Sequence, residues 1–408
     1  DSTLPNALAV VNPHRPDSRY PFADLSGAGV SFRVAEALVR TLGYSVDKFR
    51  QAVLDLVAIG TVADVMPLLG ENRVIVAYGL ERLKDTPRVG LRQLIEVSGL
   101  SNKRLTARDI GFMIGPRLNA AGRLEDARLA LELLMEEDVE TARRLAKQLD
   151  QHNRDRQKLQ QAILDEALAQ IEQEDLLQHR ALFVRSLGWH HGIIGLVAGK
   201  LMNLFHRPTF VVSLEGEAGL ARGSIRSIPA FDLTRLLAQM KPICQKCGGH
   251  PAAGGFVVAL ERLEELRSLV LQMAERELTD EDLIPELLID LEVKGYEVNG
   301  RLMSELKLLE PFGEGNEAPF FLCRAVHVIG SRTSQDGKHL FLKIRPEGSP
   351  VLDALFWNGG GISFEPETRL DLVFQPEEDT YYGYGTLRWC LHDFEERLEG
   401  EAPAEPIS

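Results

Sequence analysis

The sequence predicts an α/β protein with two α/β lobes, a long helix that joins them, and a small β-barrel near the carboxyl end. Three observations support this fold class. Strand-like and helix-like segments alternate in each lobe, the stretch from Arg123 to Leu187 contains neither Gly nor Pro, and five short strand-like segments follow one another from residue 320 onwards. A chain of 408 residues is also too long for one hydrophobic core, so several domains are expected.

The amino-terminal lobe contains two segments whose structure can be predicted from their patterns. LAVVNPH (residues 8–14) is predicted to form a short buried strand, and residues 22–43 a Gly-rich loop leading into an amphipathic helix that ends at Gly43. GPRLNAAGRLEDARLA (residues 115–130) places Arg117, Asn119 and Arg123 in a predicted small-residue loop before a helix. These side chains suit a phosphate clamp or, equally, a helix start with surface arginines.

The joining helix is predicted within residues 137–178, which are rich in good helix formers. We expect one helix of about 35 residues, roughly 50 Å long. Its centre, DQHNRDRQK (residues 150–158), is polar on every face, which is typical of a helix that bridges solvent between two lobes.

The second lobe begins with a βαβ-like unit, ALFVR, a Gly/His loop, a helix and TFVVSL. Three short segments in it, predicted as loops, combine glycine with histidine, serine or arginine: residues 188–192 (GWHHG), 223–227 (GSIRS) and 248–250 (GGH). A helix amino terminus offers free N–H groups to an anion, and the arginine fork matches phosphate oxygens. Each segment alone is commonly structural, but the three together predict a phosphate site.

The charge distribution favours a polyanionic partner despite the net charge of −14. Residues 181–260 carry eight Lys/Arg against three Asp/Glu, whereas residues 361–408 carry twelve acidic residues against three arginines. Binding depends on the local field at the site rather than on the total charge. No apolar run reaches the roughly 18 residues of a membrane helix, so no membrane partner is expected.

Four cysteines in 408 residues are typical of a reducing compartment. Cys244 and Cys247 form a CxxC, for which a metal-free loop is favoured over half of a zinc site.

Asp64 lies among apolar residues in AIGTVADVM and could be a metal ligand, although a helix cap is favoured from the residues alone. Because the chain begins with Asp1 rather than Met, we expect a processed protein or a fragment.

Several motifs in the right order resemble the DHH-family phosphoesterases, and within them the RecJ-type single-strand-specific exonucleases. They are VNPHRPDSRYPFADLSGAGVSF with GTVADVMPL, GPRLNAAGR, GWHHGIIGLVAG, GSIRSIPAFDL, GGHPAAGGF, and LLEPFGEGNEAPFF. The resemblance implies residues 1–136 as the carboxyl-terminal part of a DHH lobe, 137–178 as the connecting helix, 179–280 as a DHHA1 lobe, 281–396 as an OB-fold-like domain and 397–408 as a disordered acidic tail.

The resemblance implies a metal-dependent 5′-to-3′ exonuclease that releases mononucleotides from single-stranded DNA with two Mn²⁺ or Mg²⁺ ions. It makes Asp64 a metal ligand, and it assigns His190, Gly249 and His250 to the scissile phosphate or leaving group. The residues implied to bind DNA phosphates are Arg117, Asn119, Arg123, Ser224, Arg226, Ser227 and Gly248. Neither a DxD-type cluster nor an Asp-His-His motif precedes Asp64, so we expect most metal ligands to lie outside this chain and the chain alone to be inactive.

Two other readings stay open. An oligoribonuclease or cyclic-dinucleotide phosphodiesterase would share both lobes but lack the OB-like section, so residues 300–395 discriminate. A non-catalytic nucleic-acid-binding scaffold would match a chain without most metal ligands. The favoured reading predicts a monomer in the bacterial cytoplasm that acts in DNA repair and recombination, with single-stranded DNA, a single-strand-binding protein and a helicase as partners.

Overall fold

The computed structural model describes residues 4–101, 103–124, 126–379 and 386–397. The chain divides into two compact units. The first, called the barrel unit, contains residues 1–85, 104–111 and 287–408, and the second, called the central unit, contains residues 86–103 and 112–286. Apart from residue 397, the predicted acidic tail lies outside the described residues.

The described helices and strands are as follows, in chain order. The α-helices are α1 (Gly27–Thr41), α2 (Val46–Ala63), α3 (Gly70–Lys84), α4 (Val89–Val97), α5 (Ala107–Asp109), α6 (Gly115–Leu124), α7 (Arg128–Met135), α8 (Val139–Gln173), α9 (His191–Phe205), α10 (Leu233–Met240), α11 (Leu263–Glu277) and α12 (Gly300–Leu306). The strands are β1 (Leu182–Leu187), β2 (Thr209–Glu215), β3 (Leu220–Arg226), β4 (Lys246–His250), β5 (Ala253–Ala259), β6 (Leu291–Glu292), β7 (Phe321–Thr333), β8 (Leu340–Arg345), β9 (Leu352–Phe356), β10 (Arg369–Asp379) and β11 (Thr386–Glu396).

The barrel unit contains a closed five-stranded barrel. Its strands follow the order β7-β8-β9-β11-β10, and β10 pairs with β7 to close the ring. Only the β9–β11 pair is parallel among these pairings. The interior is filled by buried aromatic and aliphatic side chains, including Phe374 stacked on Trp389 with ring centroids 3.7 Å apart. The predicted small barrel and the OB-like class are confirmed.

The amino-terminal part of the barrel unit is helical. The predicted helix is present as α1, but it begins at Gly27, within the predicted Gly-rich loop, because Ser26 accepts a hydrogen bond from the Gly29 N–H and caps the first turn. The predicted strand at residues 8–14 is wrong: this segment pairs with no described strand, and Leu8 and Val11 are exposed. A short apolar run forms a strand only where a neighbouring strand can take its backbone hydrogen bonds.

The central unit is built on a five-stranded sheet in the order β1-β2-β3-β5-β4. Strands β1 and β2 run parallel with α9 between them in sequence, so the predicted βαβ unit is confirmed. The other pairings are antiparallel. The GGH segment, predicted as a loop, instead forms β4 of a hairpin with β5, where Gly248 pairs with Gly255 and Gly249 with Gly254.

The predicted long helix is present as α8, with 35 residues. Its polar centre is nevertheless partly buried, because Asp150 and Asn153 are 6% and 3% exposed. GPRLNAAGR is also helical, as α6, rather than the predicted loop. Its small residues Ala120 and Ala121 are fully buried, so they permit close helix packing rather than a turn.

No described helix is both long enough and apolar enough to cross a membrane.

Candidate active site

The loop between β1 and α9 presents a histidine at a helix amino terminus. His190 caps α9, and its Nδ1 accepts a hydrogen bond of 3.1 Å from the Gly192 N–H. Burial, and secondarily the neighbouring His191, lower the pKa of His190. The two imidazoles stack with centroids 4.9 Å apart. A neutral ring that accepts at Nδ1 carries its proton on Nε2, so His190 offers an N–H donor to a bound anion.

This loop is fixed to the elements around it by Trp189. The Trp189 indole is buried and donates from Nε1 to Glu166 Oε2 on α8 at 2.7 Å. The Ser213 hydroxyl on β2 donates to the Trp189 carbonyl at 2.5 Å. The position of His190 is therefore set by a side chain from α8 and another from the sheet.

Glycines on α9 allow α6 and β3 to approach the same end of the helix. A Cβ added at Gly192 would lie 2.3 Å from the Arg123 carbonyl oxygen. A Cβ added at Gly195 would lie 2.9 Å from Ser224 Oγ and 3.4 Å from Arg226 Nη2. The absence of these side chains brings Arg123 of α6 and Arg226 of β3 to the amino-terminal half of α9.

Arg123 and Arg226 lie there, and Arg156 of α8 is near enough to Arg123 for their charges to repel; we call these three residues the arginine cluster. Burial lowers the pKa of each, and the charge of Arg123 is the second cause for Arg156 and Arg226. No carboxylate oxygen of the described residues lies within 4.0 Å of any of the three guanidinium groups. Because partly buried cations that also repel one another are costly, the cluster is suited to an anion.

Neutral oxygens hold the arginine cluster in place. Arg123 Nη1 donates to the Gly192 carbonyl at 3.3 Å, and Arg226 Nη1 donates to its neighbouring Ile225 carbonyl at 2.8 Å. Arg156 Nε donates to Asn153 Oδ1 at 3.2 Å. These contacts orient the guanidinium groups but leave their charge uncompensated.

Arg156 is the residue that sequence analysis missed. It lies in the polar centre of α8, where every position looks solvent-facing. A signal was nevertheless present, because Asn153, Arg156 and Gln160 recur at spacings of three and four and share one helix face. Asn153 and Gln160 are buried, and both contact the Arg156 side chain.

The sheet register places His250 on the same face as Arg226. Arg226 is opposite Ala253, and Ala253 is opposite His250. Directly opposed residues point to one face, so His250 lies two strands, about 10 Å, from Arg226. The histidine is exposed at the edge strand.

The next row on this face is Ser224, Gly255 and Gly248, with two positions that lack side chains. This row leaves the backbone accessible beside Arg226 and His250. Gly249 faces the opposite side, where an added Cβ would lie 2.3 Å from the Ala253 carbonyl oxygen. Gly249 is therefore required for the close approach of β4 to β5.

Arg117, Asn119 and Ser227 are not part of the arginine cluster. Arg117 donates to Asp150 Oδ1 at 2.9 Å and to the Met113 carbonyl, so a carboxylate already compensates its charge. The Ser227 hydroxyl is buried and donates to the Phe231 carbonyl at 2.6 Å. Asn119 is exposed on α6.

Asp64 ends α2 in the barrel unit, with Val65 in a left-handed conformation (φ 55°). The Val65 N–H donates to the Val62 carbonyl and the Met66 N–H to the Thr61 carbonyl, which is the Schellman pattern with valine where glycine is usual. A β-branched residue at this φ is strained, and such strain is common beside functional groups.

The Asp64 carboxylate is exposed, and within the described ranges no hydrogen bond or ion pair engages it. A free carboxylate is an oxygen donor of the kind that Mg²⁺ and Mn²⁺ prefer, so the residue fits such an ion. The described residues contain no group of three or more His, Cys, Asp or Glu that could hold a metal.

Cys244 lies between α10 and β4 and Cys247 lies in β4, and both are half-buried. Burial, with a further contribution from Cys247, raises the pKa of Cys244 to about 11. A thiol with so high a pKa is protonated at neutral pH and is a poor metal ligand until a metal displaces its proton.

Comparison with known protein families first identifies two domains in the chain. Residues 178–276 match the family model of the DHHA1 domain, and residues 289–393 match that of the RecJ OB domain. The arginine cluster draws Arg226 and the α9 loop from the first of these domains. The class is therefore a DHHA1 protein with a RecJ-type OB domain.

The similarity to individual proteins identifies the family. A single-stranded-DNA-specific exonuclease RecJ of Bacillus subtilis is 40% identical over 373 residues, covering 91% of this chain and 46% of that protein. Crystal structures of Thermus thermophilus RecJ with Mn²⁺ and with Mg²⁺ superpose with TM-scores of 0.83 and 0.79 at 30% identity, covering 100% and 94% of this chain and 58% and 57% of theirs. A crystal structure of an exonuclease RecJ bound to manganese is 32% identical, with a TM-score of 0.56, covering 69% of this chain and 70% of that one. The chain belongs to the RecJ family and spans about half the length of the curated Bacillus relative.

Proposed function

We propose that the protein is a metal-dependent exonuclease that degrades single-stranded DNA from the 5′ end and releases 5′-mononucleotides. Membership of the RecJ family supports the substrate class. The observation that carries the proposal for this chain is the arginine cluster, three partly buried cations without a carboxylate partner in the described structure. The predicted division at residues 136, 178, 280 and 396 is part of the proposal, and the two domain matches support it.

The arginine cluster would hold the 5′-terminal phosphate or the backbone phosphate next to it. Arginine forks donate two parallel hydrogen bonds to phosphate, and the anion would relieve the repulsion between the three cations. Ser224 lies beside Arg226 and adds a hydroxyl, and Gly248 leaves backbone on the same sheet face open to the strand. A phosphate site at the end of the strand would restrict attack to that end.

His190 and His250 would contact the scissile phosphate or the leaving group, and Gly249 would support them by keeping the hairpin tight. Neutral His190 would donate its Nε2–H to a phosphate oxygen, while its Nδ1 stays engaged by Gly192. A donor aimed at an oxygen that gains negative charge stabilises the transition state more than the ground state.

Asp64 would be one ligand of a site for two Mn²⁺ or Mg²⁺ ions. Such ions, when bound, supply a hydroxide nucleophile and neutralise phosphate charge. The motifs that the family resemblance assigns to the other ligands are not in this sequence, so we propose that the 408 residues alone have little or no nuclease activity. Asp64→Ala in the full-length protein is expected to abolish metal-dependent cleavage, and normal digestion of single strands by that variant would remove Asp64 from the site.

The remaining predicted residues take supporting roles in this proposal. Arg117, paired with Asp150 of α8, would orient α6 and with it Arg123, while exposed Asn119 would reach the DNA backbone. Ser227, bonded to Phe231, would fix the turn after Arg226. The OB-like barrel would guide the strand, and the match to a RecJ OB domain favours this reading over a dinucleotide phosphodiesterase.

The cellular part of the proposal is a monomer in the bacterial cytoplasm that acts in DNA repair and recombination. Its partners would be a single-strand-binding protein and a helicase, which supply and protect the single-stranded substrate. These assignments follow the family resemblance alone.

Fluorescence anisotropy with a labelled single strand tests the phosphate site. In EDTA, wild-type affinity is expected to fall as salt is added, because each phosphate contact releases counterions. Arg226→Ala is expected to weaken binding about 10- to 100-fold, the effect of losing a charged hydrogen-bonding group. Arg222→Ala is the matched control, since Arg222 lies four residues before Arg226 on β3, is exposed and pairs with Glu215. Equal affinities for the two variants would contradict the assignment.

A further inference from the structure

The segment after the candidate metal ligand is held by a loop from the far end of the sequence. We call residues 311–317 the pre-barrel loop, since they precede β7, and residues 64–69 the Asp64 segment. The Leu68 N–H donates to the Glu314 carbonyl at 2.6 Å. Leu68 itself is 2% exposed. The Asp64 segment is thus fixed by a backbone contact and a buried side chain only four residues beyond Asp64.

Two glycines of the pre-barrel loop allow this contact. A Cβ added at Gly313 would lie 2.7 Å from Leu68 Cδ1. Gly315 has a φ of +69° and its added Cβ would lie 3.3 Å from Pro67 Cβ. The loop therefore fits the Asp64 segment closely, and any larger residue at Gly313 must displace buried Leu68.

Arg73 of α3 braces the pre-barrel loop from the other side. Its guanidinium donates to the Leu309 carbonyl at 2.8 Å and approaches Asn316 Oδ1 at 3.4 Å, 243 residues away in sequence. The Asn316 amide donates to the Leu309 and Pro311 carbonyls. The Arg73 backbone N–H donates to the Leu69 carbonyl. Arg73 thus connects the pre-barrel loop, through Asn316, to the end of the Asp64 segment, through its own backbone.

The same segment is held from within the helical part by Asn72. This residue is fully buried, and its Nδ2 donates to the Pro67 carbonyl at 3.0 Å. Between this anchor and the end of α2, only Asp64, strained Val65 and Met66 remain. Any movement of residues 67–69 is therefore transmitted over a very short length of chain to the Asp64 carboxylate.

We propose that the pre-barrel loop is a positioning element for Asp64, so that the affinity of the metal site depends on Gly313 and Arg73, which do not touch the metal. The inference rests on the proposed role of Asp64 as a ligand. Residues that orient a ligand from outside the coordination sphere typically change metal affinity by about 10- to 100-fold. The OB-like barrel and the metal site would then be coupled through the contact between Leu68 and Glu314.

The test compares Gly313→Val with Gly330→Val in the full-length protein. Gly330 lies in β7 of the same barrel, and an added Cβ there meets no atom within 4 Å. Mn²⁺ affinity is measured without DNA, from the electron paramagnetic resonance signal of free Mn²⁺, and hydrogen exchange of the Leu68 amide is followed by mass spectrometry. Gly313→Val is expected to weaken Mn²⁺ binding about tenfold or more and to expose the Leu68 amide, with Gly330→Val unchanged in both.

A second variant covers the outcome in which Gly313→Val fails to fold. Arg73→Gln removes the brace without adding volume and is expected to weaken Mn²⁺ binding in the same direction, while single-strand affinity in EDTA stays at the wild-type value. Asp64→Asn separates the two levels of the argument. If Asp64→Asn leaves Mn²⁺ affinity unchanged, the ligand assignment fails and the positioning role fails with it. If Asp64→Asn weakens Mn²⁺ binding but Arg73→Gln and a folded Gly313→Val do not, the positioning role alone is wrong.

Discussion

Two groups of arginines in this protein illustrate how a binding site differs from a structural ion network. In the barrel, Arg324 and Arg397 both donate to the Asp371 carboxylate, at 3.0 and 2.6 Å, and Arg324 also donates to Glu292 at 3.0 Å. In the central unit, the described hydrogen-bond partners of the arginine cluster are neutral carbonyl, amide and hydroxyl oxygens. The first group compensates its charges internally. The second group leaves a positive site that a phosphate would complete.

The energetics of the two groups are expected to be opposite. Burial alone would raise the pKa of Asp371, but hydrogen bonds from Arg397, the Ala325 N–H and Arg324 lower it overall. In the arginine cluster, burial and mutual repulsion both lower the pKa values. The barrel network therefore stabilises the fold, whereas the cluster costs stability that ligand binding recovers.

The largest predicted effect is the loss of a partner in the barrel. Arg324→Gln leaves buried Asp371 and half-buried Glu292 less compensated and is expected to lower the free energy of unfolding of the barrel by about 3 kcal/mol. Hydrogen exchange of barrel peptides measures it. Lys343→Gln is the control, because Lys343 and Asp353 form an exposed pair whose loss costs less than about 1 kcal/mol.

We expect Arg226→Gln to leave the stability of the central unit unchanged or higher. The comparison fails if Arg226→Gln destabilises the central unit as much as Arg324→Gln destabilises the barrel.

Acid should affect the barrel through Asp371. Its pKa in the folded protein is lowered, so the stability it contributes is fully present above its ordinary pKa of about 3.9 and is lost as pH falls through the lowered value. Hydrogen exchange or circular dichroism between pH 6 and 2, corrected for the intrinsic exchange rate, measures this loss. Asp371→Asn should lower stability at neutral pH and flatten the acid dependence, and an unchanged acid profile in that variant would contradict the assignment.

Arg156→Gln should weaken binding of single-stranded DNA in EDTA about 10- to 100-fold, since it removes a charged donor from the arginine cluster. Anisotropy titration is the measurement. Arg154→Gln is a close control, because Arg154 lies two residues away on α8, is 63% exposed and pairs with Asp150. Equal losses for both variants would show that the helix contributes only general positive charge.

The smallest predicted effect concerns His190. Burial and the neighbouring His191 disfavour the imidazolium and lower the pKa of His190. Protonation of His190 is therefore expected to lower the stability of the folded loop. Stability of the α9 loop should be full above pH 6.5 and should decline as pH falls through the lowered value. The nuclear magnetic resonance shift of the Gly192 amide follows the hydrogen bond to Nδ1, and a titration midpoint above 6.5 would contradict this geometry.

Much of the fold was predictable because its signals are local. The absence of Gly and Pro predicted α8, and turn residues between short apolar runs predicted the five barrel strands. The wrong predictions also came from local sequence patterns, which do not show what a segment packs against. In GPRLNAAGR the small residues suggested a loop, but buried Ala120 and Ala121 allow close packing of α6, and LAVVNPH had strand composition without a described strand to pair with.

The site was less predictable because it depends on contacts between distant residues. The three segments around residues 190, 226 and 250 were identified from their composition. The pairing of Arg117 with Asp150, 33 residues apart, removes one predicted phosphate ligand from the set of free charges, and the participation of Arg156 adds another. Only the packing of α8 against α6 and α9 shows that Arg117 is paired with a carboxylate and that Arg156 belongs to the arginine cluster.

The central claim is that the arginine cluster binds phosphate, and the salt dependence of single-strand affinity tests it most directly. The slope of log K against log [salt] measures the number of phosphate contacts, at about 0.7 per contact for single strands. We predict that Arg156→Gln and Arg226→Gln each reduce the slope by about 0.7, while Arg154→Gln leaves it at the wild-type value. Slopes that are equal in all four proteins would contradict the claim.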